Sequence, residues 1–330
     1  MKVLVTGATA PFGVAIVDAL LASRDVEGVL AVGREPAWGT PAMPRLVYRA
    51  ADLSRPRELH DLVWGEAHEY GIDVVVHGMH HRAVADHGPR VHTQNVNATR
   101  EMVRACIDHP TIRRLVYRSF AEVYAQPHTT SDLLDEHAPL NFEPTAPQWV
   151  RDRVEADVTA CGYFCTSLEI AVLRCAEILA PGTGSQLLDY LQSRVCLRPL
   201  GFDPMLNILS LADAAAAVLS AVRGTATGVF NIPGHDTLPL SVAIEESRRA
   251  NIPVPGPLLA PLYGLRRWIA GFEFRYDMNL SKFHFGGVLD GARARSAFGF
   301  VPRTSVQWPK PWWPLLIERL SQLTGPDRRA

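Results

Sequence analysis

No block of like charge interrupts this chain. Its 33 basic and 34 acidic residues are interspersed along 330 positions, for a formal net charge of −1. That excludes the electrostatic footprint by which nucleic acid or an anionic membrane surface is engaged. Cysteine is sparse: Cys106, Cys161, Cys165, Cys175 and Cys196 are odd in number and form no C-x-x-C pair. This speaks against a disulfide frame or a metal site and for reduced thiols. No uncharged run is long enough to span a bilayer, and no leader pattern precedes the first apolar stretch, so a cytoplasmic protein without an integral membrane segment is expected. Internal repeats and low-complexity segments are absent too. What remains is 47% hydrophobic and 20% charged, enough to bury one large domain or two coupled ones.

The first half alternates apolar runs with stretches of helical length. "KVLVTG", "GVLAVG", "RLVYRAAD", "DVVVHG", "RRLVYRS" and "LEIAVLR" read as strands, and 13–23, 56–69, 92–108 and 147–162 as helices. Near-continuous apolar strands joined by helices predict an α/β fold, a doubly wound parallel sheet covered on both faces. A sheet domain over 1–180 and a smaller C-terminal lobe over 181–330 are expected, with 200–234 returning to the sheet through "GVFNIP". Proline-rich connections and helices at 211–223 and 239–250 mark the second half.

In "TGATAPFG" the turn after the first strand carries Gly7 and Gly13, with Ala10 where a middle glycine would stand. The first glycine of such a turn permits its tightness, and the last lets the helix pack on the strand. The helix N-terminus then faces a dinucleotide's pyrophosphate. Pro11 suits the first helical position because it has no N–H to leave unsatisfied. A purely structural strand-to-helix turn is the alternative.

The company of this turn is specific. "AADLSRP", "VVVHGMHH", "QNVNATREMV", "RRLVYRSFAEVYA", "LEIAVLRCAEILAPG", "LSLADAAAAV", "GVFNIPG" and "LDGARARSAFGFVP" follow in order. Over nearly its whole length the chain resembles an extended short-chain dehydrogenase/reductase, the NAD(P)-dependent group of nucleotide-sugar epimerases and dehydratases. The resemblance implies a cofactor site drawn from Gly7, Ala10, Pro11, Phe12, Gly13, Arg34, Asp52, Leu53, Gly78, Met79, His80, Asn95, Ser119, Trp149, Arg153 and Cys175. An arginine ending the second strand accommodates a 2′-phosphate, so Arg34 predicts NADP; if Glu35 takes the ribose instead, the cofactor is NAD.

The resemblance also implies a serine and a Tyr-x-x-x-Lys pair as proton donor and its supports. Here the serine position is Phe120, with Ser119 beside it; the tyrosine position is Trp149 and the lysine position Arg153. Indole is no useful acid, and guanidinium does not deprotonate but can hold ribose hydroxyls. An oxidoreductase or epimerase-like enzyme with a rebuilt set is therefore expected, with Tyr124 first and Glu122 second as acid/base and Arg153 in support. The alternative is a catalytically silent dinucleotide-binding sensor or scaffold. Other readings stay plain: His80 and His81 as packing residues, Asp152 and Arg153 as a surface ion pair.

The substrate is expected to be a nucleotide sugar or an apolar metabolite, the latter because "PLLAPLYGLRRWIAGFEF" and "WPKPWWPLLIERL" are rich in aromatics; lobe-core packing is their other reading. A homodimer is expected from apolar positions Val96, Met102, Val103, Ile107, Val150, Val154 and Val158 at helical spacing.

Overall fold

Near-continuous apolar runs can be buried on both sides only in the interior of a sheet, and that is where most of them lie. In the computed structural model, which describes residues 1–39, 43–125, 133–270 and 274–309, seven strands form one parallel sheet. They are β1 (Lys2–Thr6), β2 (Gly28–Gly33), β3 (Leu46–Ala50), β4 (Val74–His77), β5 (Arg114–Phe120), β6 (Glu169–Cys175) and β7 (Gly228–Ile232). Their order across the sheet is β7-β6-β5-β4-β1-β2-β3, every pair parallel. Residues of β2, β4 and β5 are buried throughout, whereas the edge strand β3 is largely exposed. The run "GVFNIP" does return to the sheet, as β7.

The period of two decides which helix each strand residue meets. Val3 and Val5 pack with Ile16, Val17 and Leu20 of α1 (Pro11–Leu21). Leu4 faces the other way, with Leu59 of helix α2 (56–70) and Met102 of α3 (89–106). Both α2 and α3 carry a π-helical turn, at Leu62–Ala67 and Thr93–Asn97. Helix α4 (Gln148–Cys161) lies beside α3, and α5 (Leu211–Arg223) beside α1. Of the seven apolar positions from which pairing of two chains was expected, Val96, Met102, Val103, Val150 and Val154 are already buried inside this one chain. Val158 alone among them is a large exposed apolar residue, so these positions do not argue for a dimer.

The second lobe gathers a separate core: Leu187, Tyr190, Leu259, Tyr263, Phe274, Tyr276 and Phe283. Tyr263 and Phe274 thus fill the lobe interior, while Trp268, on the same helix as Tyr263 (Gly256–Ala270), stays exposed. Gly271–Glu273 and the stretch from Lys310 onward, with Trp312 and Trp313, lie outside the described residues.

One ion pair holds α4 to the sheet. Arg174 of β6 reaches Asp157 of α4 with Nη2 at 2.6 Å and Nε at 3.0 Å, both side chains being buried. Ser119 donates its hydroxyl to the same carboxylate. Asp157→Ala would strand a buried guanidinium, so chemical denaturation should show a loss of about 3–5 kcal/mol. Replacing both partners by apolar residues should cost less than that single change.

Candidate active site

The turn after β1 is tight for a reason that can be read atom by atom. Gly7 has φ +67°, and a Cβ on Gly13 would sit 2.2 Å from the Gly7 carbonyl oxygen and 2.6 Å from Ala8 Cα. Ala10 precedes the helix in an extended conformation, φ −72° and ψ 151°, which any residue adopts, so a glycine is not needed there. The first turn of α1 therefore points its amides into the crevice between β1 and β4, where the strand order reverses.

A cavity of about 390 Å³ occupies that crevice. Of the expected cofactor residues, Gly7, Ala10, Phe12, Arg34, Leu53, Gly78, Met79 and His80 line it. Thr9, Glu35, Gln94 and Arg118 join them. Arg34 is engaged with Asp52, 3.0 Å away, and Asp52 also accepts from Ser54. Glu35 accepts a hydrogen bond from the Thr9 hydroxyl, which holds its carboxyl below the usual range against the opposing effect of burial.

Four expected positions, Ser119, Cys175, Asn95 and Pro11, lie off this cavity. Ser119 is wholly buried and faces Asp157, on the side of the sheet opposite Phe120. Cys175 is buried in the sheet core, its thiol pushed up to about 12 by burial. Asn95 accepts from the His81 amide at 2.7 Å and donates to Asp152. Pro11 packs against Gly182 and does not line the cavity.

Past His80 the wall is made of stacked groups. The Arg118 guanidinium lies 4.3 Å from the centre of the Phe120 ring, and that of Arg153 lies 3.8 Å from it; Arg153 is also 4.7 Å from the Trp149 ring. Beyond this wall a second cavity of about 320 Å³ is lined by Glu122, Asn141, Thr145, Trp149, Asn279 and Lys282, among others. Glu122 bridges two cations there, Arg153 at 3.2 Å and Lys282 at 3.4 Å. Lys282 also pairs with Glu177, which accepts from Ser185 and the Leu187 amide at 2.8 Å. Burial would raise the Glu122 carboxyl, but Lys282 and Arg153 together hold it below the usual range.

The surface pair expected between Asp152 and Arg153 does not form. Both are buried; Asp152 meets His92 at 3.0 Å and Gln148 at 3.4 Å, while Arg153 turns to Glu122. Tyr124 borders the second cavity but is wholly buried, its hydroxyl donating to Asn231 at 2.6 Å and its pKa raised by burial.

Residues 3–192 match the model of the NAD dependent epimerase/dehydratase family. The chain belongs to that family. An uncharacterised protein of Mycobacterium tuberculosis, Rv0501, is 28% identical over 273 residues, 79% of this chain and 69% of its own length. The family fold also superposes on UDP-glucuronic acid 4-epimerase from Bacillus cereus bound to NAD, with a TM-score of 0.67 at 17% identity over 92% of this chain and 94% of that one. A dTDP-glucose 4,6-dehydratase from Bacillus anthracis bound to NAD superposes with 0.68 at 16% identity, over 92% of each chain.

Against this family background, Arg118, Glu177 and Lys282 are site residues that motif reading did not reach. Lys282 did carry a signal: it is one of only three lysines, with Lys2 and Lys310.

His77 ends β4 directly beneath the cavity, wholly buried between the hydroxyls of Thr6 at 2.9 Å and Thr99 at 3.2 Å. Burial lowers its pKa from 6.5 to about 4. The unfolded chain therefore binds this proton first as pH falls, and the stability present above about pH 6.5 is lost progressively down to about pH 4. Between pH 7 and pH 5 this one group should contribute a loss of about 2 kcal/mol. Denaturation midpoints at the two pH values check it, with a smaller difference expected in His77→Gln.

Proposed function

We propose that this protein is an NAD-dependent oxidoreductase of the epimerase type, acting at a hydroxyl-bearing carbon of a nucleotide sugar, with Glu122 as the acid/base. The observation that carries the reading is Glu122 itself, ionised between Arg153 and Lys282 on the wall of the second cavity, next to the dinucleotide crevice. When bound, the dinucleotide would supply the two-electron acceptor for the carbon. The residues fit it: with no side chain at Gly13 the helix closes onto the Gly7 carbonyl and Ala8, and the first-turn amides of α1 face the crevice.

Within this reading the amides after Ala10 hold the pyrophosphate, Glu35 takes the ribose diol, and Leu53 flanks the adenine. NAD rather than NADP follows from charge. Arg34 is occupied by Asp52, and an ionised Glu35 in the cavity wall repels a 2′-phosphate. Arg153, with its fixed charge, steadies Glu122 and the ribose hydroxyls. Glu122 accepts the substrate's hydroxyl proton at its carboxylate, and Lys282 then keeps Glu177 as its counter-charge. The two cations keep Glu122 ionised, so its carboxylate is free to accept a proton, at a cost in basicity. Between the two acid/base candidates, Tyr124 is the weaker, because its hydroxyl is spent on Asn231.

A sugar suits the second cavity better than an apolar metabolite. Asn141, Glu143, Thr145, Asp277, Asn279 and Ser281 all line it, offering donors and acceptors to several hydroxyls. Solved structures of the same fold hold UDP-glucuronic acid and UDP-glucose, which supports that class.

Titration calorimetry should find NAD bound at least about tenfold more tightly than NADP, from repulsion by one charge. Glu35→Gln should narrow the gap, and tighter binding of NADP would remove the charge argument. Arg153→Ala should weaken NAD binding by about 1.5–3 kcal/mol. Turnover on a panel of nucleotide sugars should fall at least about a hundredfold in Glu122→Gln, with dinucleotide affinity retained. If bound cofactor never changes its absorbance with any sugar of the panel, the enzyme reading fails and a silent binder remains.

A further inference from the structure

Around the two cavities the buried cations meet carboxylates, with one exception. Arg153 and Lys282 meet Glu122 and Glu177, and Arg174 meets Asp157. Arg118 meets no carboxylate among the described residues. Its side chain is 5% exposed, and its Nε is buried without a hydrogen-bond partner. Its Nη1 lies 3.0 Å from His80 Nδ1, and its guanidinium sits between the rings of Phe12 at 4.7 Å and Phe120 at 4.3 Å. His80 is no counter-charge: burial, with Arg118 and Arg153 beside it, keeps the imidazole neutral. Aromatic faces offset part of the cost of burying this cation, but a full positive charge remains in the cavity wall.

Its place in the fold gives that charge a target. The crevice lies at the reversal of strand order, with α1 aimed at a pyrophosphate and Glu35 and Leu53 on the β2–β3 side. The other half of a dinucleotide must then extend over β4 and β5, where His80 and Arg118 line the wall. A nicotinamide ring carries one positive charge when oxidised and none when reduced. A fixed cation with no carboxylate of its own distinguishes the two.

We propose that Arg118 makes this cavity selective for the reduced, uncharged nicotinamide over the oxidised, cationic one. The proposal rests on the reading of the crevice as a dinucleotide site. Like charges several ångströms apart in a partly buried site lower affinity by roughly tenfold to a hundredfold, so NADH should bind more tightly than NAD by that ratio.

The test is the set of dissociation constants for NADH, NAD and ADP-ribose, by fluorescence and calorimetry, in the wild type, R118M and R118K. ADP-ribose carries the pyrophosphate without the nicotinamide. The expected result is a ratio favouring NADH in the wild type, kept in R118K and reduced at least about fivefold in R118M, mainly through tighter NAD, with ADP-ribose unaffected. Equal affinities for NADH and NAD in the wild type would overturn the proposal, as would an unchanged ratio in R118M. Equal weakening of all three ligands in R118M would also overturn it, giving Arg118 to the pyrophosphate. Should R118M fail to fold, R118Q takes its place, and the wild-type ratio stands as an independent arm. If none of the three binds the wild type, the dinucleotide reading itself falls and takes this proposal with it.

Discussion

A single carboxylate, that of Glu122, is shared between cations that come from distant parts of the chain. Arg153 stands on α4, and Lys282 on the short helix Leu280–Phe285 of the second lobe. Glu177 closes the chain of charges from just beyond β6. Four buried ionised groups are tolerable only if each faces an opposite one and the spare lone pairs are hydrogen-bonded. Ser185 and the Leu187 amide meet that condition at Glu177. The relative position of sheet and lobe at the second cavity is therefore tied to this chain of charges, because sliding one past the other would leave a buried ion alone.

The alternation of β5 decides what can stand in for a serine at the family's position. Arg118 and Phe120 share one face of the strand, and Ser119 takes the other, where Asp157 and Arg174 hold it. A serine one residue away is thus not a near substitute; it lies on the wrong side of a sheet. Phe120 offers no hydrogen bond but provides two aromatic faces, each covered by a guanidinium. The nearest ionised side chain beyond the strand is that of Glu122, on the turn Ala121–Val123.

Much of the fold was legible because its signals are local. Apolar runs of strand length, the spacing of Gly7 and Gly13 and the position of Pro11 each follow from backbone sterics within a dozen residues. The departure at Ala10 is explained by its extended backbone, which places no demand for glycine. The site was legible only where it is built from that same turn. Neighbours in sequence misled elsewhere: Asp152 and Arg153, adjacent on a helix, point to different partners, since consecutive helical residues are about 100° apart. Lys282 meets Glu122 across 160 residues and Glu177 across 105, and no periodicity encodes such a meeting.

Charge pairing at this site also explains why a nearly neutral chain needs so many buried ions. Matching cations to carboxylates fixes geometry while leaving little residual field, so the cavities are shaped by strong interactions. Against such a balanced background a single unmatched group dominates its surroundings. Arg118 is held by two rings and a neutral imidazole, none of which cancels its charge. Its unbonded Nε and unpaired charge are costs the folded chain bears. The same framework that makes the remaining ions silent thus makes this one selective.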